Sequence, residues 1–212
     1  MPAPNRLVHQ CRRPSGWLGR WFLRKMNKHH SPLTDWGMAH IVIQPSATIL
    51  DIGCGGGRTL QKLAAAAPQG KVFGIDHSDA SVAASRNANA QAIARGQVDV
   101  RHGSVSELPW PDATFDLVTA VETHFFWPNL PGDVREILRV LKPGGTLILI
   151  AEVYTGSGTT VSKMAEKYSH VSGMTLLTAD EHRALLADGG FTAVQIFEDH
   201  QKGWITAFGQ RP

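Results

Sequence analysis

Asp51, the glycines behind it and Asp76 form the constellation with the most chemical content in this chain. Asp51 stands in the apolar run Ile49-Leu50-Asp51-Ile52, and Gly53, Cys54, Gly55, Gly56 and Gly57 follow. A run that is apolar throughout reads as a strand buried on both faces. Glycines can take positive φ and let a ligand approach the backbone closely. From Arg58 onward, Leu60, Leu63, Ala64 and Ala67 recur at helical spacing. Strand, glycine turn and helix N-terminus leave unpaired N–H groups and a partial positive charge aimed at one spot. A dinucleotide turn would read G-x-G-x-x-G, whereas here the spacing is G-x-G-x-G and Arg58 holds the third glycine's place. A carboxylate at Asp51 would repel a pyrophosphate and attract an ammonium group. Asp76 ends the next apolar strand, Val72-Phe73-Gly74-Ile75, where an acid is suited to accept hydrogen bonds from ribose hydroxyls. Together these features favour a nucleoside carrying an amino acid over a nucleotide carrying phosphates.

Ligands of open α/β sheets bind outside the carboxyl ends of the strands. Those ends also supply His102-Gly103-Ser104, Val121-Glu122-Thr123-His124 and Ala151-Glu152-Val153-Tyr154. His124, just past the fourth strand, is the first candidate for a general base, and Glu152 is the second. No pair of histidine and cysteine has metal-ligand spacing, so no metal is expected. Phe125, Phe126, Trp127, Trp36 and Tyr154 could wall a pocket for an apolar or aromatic substrate, with about half of them packing in the core instead.

The elements that must position these residues alternate. Strands are expected at 49–52, 72–76, 98–102, 115–121 and 146–151. Helices are expected from Arg58, over 78–95 with Ser78 as N-cap and Gly96 as stop, and over 131–141, stopped by Lys142-Pro143-Gly144-Gly145. A loop-rich stretch over 153–178 holds a short helix near 161–168, and a helix over 179–187 leads to a closing strand pair at 191–197 and 203–208. The alternation predicts an α/β fold with a doubly wound, mostly parallel Rossmann-like sheet, the last strand antiparallel. Ahead of it, helices are expected over 17–28 and 33–43 as an N-terminal cap. The expected division is therefore a basic arm and cap helix at 1–30, and the main domain at 31–212.

Of the chain's 21 bases seven lie in residues 1–30, and none of its 18 acids does, so the rest is mildly acidic. Such an arm could touch an anionic membrane or nucleic acid, or serve as a transit peptide; a solvated tail is the first expectation. The net charge of +3 gives no firm indication of a nucleic-acid partner. No apolar run approaches the roughly 20 residues needed to cross a bilayer. Cys11 and Cys54 lie in unrelated contexts, which favours a reducing, cytoplasmic location.

Leu50-Asp51-Ile52-Gly53-Cys54-Gly55-Gly56-Gly57 and Gly74-Ile75-Asp76-His77-Ser78 resemble the first two motifs of the class I S-adenosylmethionine-dependent methyltransferases. Arg139-Val140-Leu141-Lys142-Pro143-Gly144-Gly145 is similar to that family's motif before its fifth strand. The resemblance spans roughly residues 30–210 and implies seven strands, with S-adenosylmethionine as cofactor. It implies that Asp51 and the backbone of Gly53, Cys54, Gly55 and their neighbours hold the methionine end, with Asp76 on the ribose. By the same resemblance, His77 stacks on adenine, Gly103 and Ser104 border it, and Val121 and Glu122 flank the methionine chain. Ser104 stands where the family often has aspartate. The family's amino-methylating members carry Asn/Asp-Pro-Pro-aromatic after the fourth strand, where this chain has Glu122-Thr123-His124-Phe125. The resemblance thus implies a methyltransferase for a small-molecule acceptor. Transfer would proceed in line and mainly by alignment, with a general base for a hydroxyl or ammonium nucleophile. The alternatives are an NAD(P)-dependent oxidoreductase, opposed by Arg58 and Asp51, and a non-catalytic S-adenosylmethionine-binding protein.

Overall fold

The computed structural model describes residues 30–212; the expected arm, the helix over 17–28 and Cys11 lie outside them. The elements are α1 (Ser31–Met38), β1 (Thr48–Ile52), α2 (Arg58–Ala66), β2 (Lys71–Asp76), α3 (Asp79–Ala88), α4 (Ala90–Ala94) and β3 (Val98–His102). There follow β4 (Phe115–Val121), α5 (Leu130–Val140), β5 (Leu141–Ala151), α6 (Thr160–Ser172), α7 (Ala179–Asp188), β6 (Thr192–Asp199) and β7 (Trp204–Gln210). One seven-stranded sheet has the order β3-β2-β1-β4-β5-β7-β6. Strands β1 to β5 run parallel, and β7 is antiparallel to both its neighbours. The chain leaves β1 toward β2 and β3, then returns to place β4 on β1's other edge. That reversal opens a crevice at the carboxyl ends of β1 and β4.

The apolar run of β1 is buried on both faces. Leu50 and Ile52 join Val118, Ala120, Val134, Ile137 and Leu186 in one core layer, beneath α5 and α7. Ile49 joins Leu33, Leu60, Leu63, Val72, Ile148 and Ile150 in the other, beneath α1 and α2. Gly37 lets α1 lie on β5, because a Cβ there would come within 2.5–2.8 Å of the Ile150 side chain.

Several elements depart from the sequence expectation for local reasons. Helix α1 ends at Met38, where Ala39, His40 and Ile41 close i→i+3 turns onto Trp36, Gly37 and Met38. The helix expected over 78–95 breaks at Asn89, whose amide donates to the carbonyls of Gly57 (3.1 Å) and Ser85 (2.9 Å). An asparagine that competes for backbone carbonyls favours a helix boundary. Lys142-Pro143-Gly144-Gly145 belongs to β5, entered through a register shift between Phe115 and Leu117. Helix α6 runs 13 residues between the Thr159 cap and Gly173, whose φ of +68 stops it.

Candidate functional site

The glycine turn is held by its own backbone and by Asp76. Gly53, Gly55 and Gly57 have φ of +69, +50 and +81. The N–H groups of Gly53 and Cys54 both donate to the Ile75 carbonyl, at 2.8 and 3.1 Å. Asp76 accepts from Gly55 N–H through Oδ2 and from Ser78 N–H through Oδ1, each at 2.9 Å. It therefore ties the turn after β1 to the end of β2 and keeps unused lone pairs on both oxygens. Ser78 caps α3 by accepting from Ser81 N–H at 3.3 Å.

A cavity of about 170 Å³ opens over this turn. Gly53 and Gly103 form its bare floor; a Cβ would fall on the Thr123 hydroxyl at the first and 2.8 Å from Ile75 Cδ1 at the second. Asp76, His77, Ser104 and Thr123 line its polar side, with Val105, Phe126, Trp127 and Pro128 on the apolar side. Thr123 accepts from the Trp127 indole N–H at 3.3 Å, which fixes that wall. Five predicted cofactor-binding residues thus meet at one cavity, Gly53, Asp76, His77, Gly103 and Ser104, together with Phe126 and Trp127 of the predicted aromatic wall. Thr123 belonged to the strand-end run Val121-Glu122-Thr123-His124 without a role of its own, and Val105 and Pro128 were not predicted. Gly53→Ala is expected to cost about 1–2 kcal/mol through its left-handed φ. Thermal melting checks this, and calorimetry should show weakened cofactor binding.

Asp51, Cys54, Gly55, Val121 and Glu122 are not on that cavity's wall. Cys54 packs into the α1/α2 core layer, where burial pushes its thiol well up. Asp51 is only 2% exposed and accepts from the Thr119 hydroxyl at 2.6 Å. Burial pushes its carboxyl up to about 7 against the pull of that bond, and the Asp76 charge adds to the rise.

A second cluster forms at the ends of β4 and β5. Glu122, at φ +58, accepts from Glu152 N–H, and Glu152 Oε1 lies 3.7 Å from His30 Nε2. One donor atom from each of His30, Glu122 and Glu152 falls within 4.8 Å of the others. Burial of the Glu122 carboxylate pushes it up to about 7, with His30 opposing and Glu152 reinforcing. His30 is raised: burial lowers it, but its bond to Glu152 and the charges of Glu122 and Glu152 outweigh that. The imidazole is thus the counter-ion of the two carboxylates. Sequence spacing alone hid this cluster, because His30 comes from before the first strand.

His124, expected as a base at the cleft, does not line the cavity. The 3₁₀ turn His124–Phe126 sends Phe126 to the cavity and His124 inward, where it is 2% exposed. Its Nε2 lies 2.9 Å from His182 Nε2. His182 Nδ1 lies 2.7 Å from the Thr178 carbonyl, which can only accept, so this nitrogen carries the proton. His182 Nε2 is then the acceptor and His124 Nε2–H the donor. That assignment leaves a lone pair on His124 Nδ1, which has no partner among the described residues. Burial pushes both rings down. Of the aromatic candidates, Phe126 and Trp127 line the cavity, Phe125 and Tyr154 are buried together, and Trp36 packs edge-on against His40.

Sheet order, bare-floored crevice and the acid closing β2 define a Rossmann-like nucleoside-binding protein. Residues 50–149 match the family described as Methyltransferase domain. A demethylmenaquinone methyltransferase of Symbiobacterium thermophilum is 37% identical over 114 residues, covering 53% of this chain and 45% of that protein. The 27-O-demethylrifamycin SV methyltransferase of Amycolatopsis mediterranei is 31% identical over 180 residues, covering 82% and 66%. The chain thus spans less than two thirds of these relatives' length. In fold it is similar to the protein solved in complex with the Haloferax volcanii Trm112 methyltransferase activator, with a TM-score of 0.79 and 20% identity over 90% of this chain and 93% of that one. The domain match and these relatives support a class I S-adenosylmethionine-dependent methyltransferase. The residues present fit that family's cofactor: a floor without Cβ atoms, a carboxylate with spare lone pairs and an apolar wall bound one cavity. No helix among the described residues is long and apolar enough to cross a membrane.

Proposed function

We propose that this chain methylates a small-molecule acceptor at oxygen, using S-adenosylmethionine. The observation that carries the reading is adjacency. Thr123 lines the cavity floored by Gly53, and Glu122, one residue before it, opens the His30–Glu122–Glu152 cluster. One side of Thr123 suits a nucleoside and the other suits an acceptor that must lose a proton. When bound, the cofactor supplies a methyl group activated by positive sulfur. The chain's own residues align and deprotonate the acceptor. Asp76 takes the ribose hydroxyls on its spare lone pairs, and His77, Ser104 and Trp127 bound the adenine. Asp51, the backbone from Gly53 to Gly57 and Val121 hold the methionine end. Glu152 accepts the hydroxyl proton as the new bond forms, and His30 and Glu122 position it. The rifamycin relative's name specifies an O-demethyl compound, which supports oxygen as the site of transfer.

Incubation of the purified chain with methyl-labelled cofactor and a metabolite extract tests this. Label in a small product supports the reading. Cofactor binding by calorimetry without a labelled product points to a non-catalytic binding protein, and uptake of a nicotinamide dinucleotide instead points to an oxidoreductase. Glu152→Gln is expected to lower turnover about 10²-fold, the scale of a lost general base, while leaving cofactor affinity nearly unchanged. Full turnover in that variant would assign catalysis to alignment alone.

A further inference from the structure

Helix α6 carries an apolar stripe on its outer side. Val161, Met164, Tyr168 and Val171 are 56, 57, 48 and 59% exposed, and at i, i+3, i+7 and i+10 they follow one side of the helix. Only Val42 among the other described large apolar residues is comparably exposed. The inner side is already satisfied. Ser162 is fully buried, and Ala165 packs against the cluster of Phe125, Tyr154 and Ile205. The outward stripe is therefore surplus to the fold, and contiguous exposed apolar surface marks contact with a partner or a membrane.

Charge decides between those partners. Lys167, and farther round Lys163, lie along one edge of the stripe, and the Lys167 ammonium lies 5.6 Å over the Tyr168 ring. The helix's one acid, Glu166, is occupied with Gly156 N–H at 3.1 Å. Residues 1–30 hold seven bases and no acid, and His30, where the described chain begins, lies beside Glu152 at the end of β5, the strand that leads into α6. The basic segment is therefore joined covalently to the fold beside the end of β5. A second copy of this chain would set lysines against lysines. A nucleic acid would satisfy the bases and leave four apolar side chains in water. A bilayer with anionic headgroups takes both: apolar side chains enter the acyl boundary, lysine stems snorkel to the headgroups, and tyrosine sits between.

We propose that α6 docks this protein on an anionic membrane surface, with its Val161–Met164–Tyr168–Val171 stripe inserted and the basic residues around it at the headgroups. This goes beyond methyl transfer and does not depend on it.

Flotation of the full chain with vesicles tests the contact without an acceptor. The protein is expected to float with phosphatidylglycerol–phosphatidylcholine vesicles and to stay behind with phosphatidylcholine alone. The variant Val161→Ser/Met164→Gln/Tyr168→Ser/Val171→Ser should float at least about tenfold less, because insertion scales with buried apolar area. Its melting should match the parent, since these side chains are exposed. Should it melt early, Lys163→Glu/Lys167→Glu replaces it and is expected to lose flotation likewise. Absence of flotation overturns the proposal, and so does equal flotation of the stripe variant, which would assign binding to the basic segment. A dimer by light scattering that the stripe variant converts to monomer would make a second copy the occupant. Displacement from vesicles by an RNA oligomer that binds parent and variant alike would make nucleic acid the partner.

Discussion

Asparagine at position 51 is expected to raise the melting temperature of the cofactor-free protein at pH 8 and, in the same variant, to weaken cofactor binding. The two effects share one cause. Burial holds the Asp51 carboxyl at about 7 against an ordinary 3.8, even though Thr119 donates to it at 2.6 Å. A raised carboxyl contributes stability that is full below pH 3.8 and lost as pH rises through about 7. At pH 8 the folded protein therefore carries a charge it would rather shed. The neutral amide keeps an oxygen for the Thr119 hydroxyl and removes that charge. The expected gain is about 2–4 kcal/mol, or roughly 5–10 °C for a chain of this size. Below about pH 4 the advantage should vanish. On the proposed reading the cofactor's ammonium would compensate the Asp51 charge in the complex, so the variant should lose about 1–3 kcal/mol of affinity. Wild-type affinity should itself fall as pH drops below about 7, because Asp51 takes up a proton that binding must expel. Calorimetry and melting curves at pH 6 and 8 check both arms. Unchanged affinity would remove Asp51 from ammonium recognition, and unchanged melting would remove the burial account.

Local chemistry was legible in the sequence; long-range register was not. The apolar run at Ile49–Ile52, the glycine turn and Asp76 announced β1, the crevice and its acid, because each depends on neighbours a few residues away. The His30–Glu122–Glu152 cluster depends instead on how β4 pairs with β5, where Val121 stands opposite Ile150, and on how α1 lies on β5 at Gly37. No local pattern encodes either. His124 was visible as a residue past a strand end, but the turn beginning at Thr123, with φ −135 and ψ −33, decides which way it points. Lys142-Pro143-Gly144-Gly145 carries every mark of a stop, and the register shift beside Phe115 absorbs it into β5.

The charges of the site favour one ligand class. Asp51 and Glu122 are both raised to about 7 by burial, so an added positive charge nearby would favour their ionised forms. A sulfonium nucleoside with an amino-acid tail brings two positive groups. A dinucleotide brings a pyrophosphate to the same place and would drive both carboxyls further toward the neutral form.

The buried histidine pair leads to the other large expected effect. Burial pushes His124 and His182 below the ordinary 6.5; His182 further lowers His124, whereas Thr178, Glu181 and Glu198 pull His182 back up. A depressed histidine contributes stability that is full above pH 6.5 and lost as pH falls through its lower folded value. Two such groups, each taking up a proton on unfolding, remove roughly 2.7 kcal/mol per pH unit. Asp51, Glu122 and His30, all raised, act in the opposite sense as the solution is acidified. The parent should therefore show a shallow profile between pH 7 and 5 that conceals two steep ones. His124→Phe/His182→Leu removes only the acid-sensitive arm, and its stability should rise relative to the parent as pH falls from 7 to 5. The difference between the two proteins, measured by denaturant titration at each pH, is the quantity to follow. A difference that stays constant across that range would mean the pair titrates in the folded protein as it does in the unfolded chain, and the tautomers fixed by the Thr178 carbonyl would then have no energetic consequence.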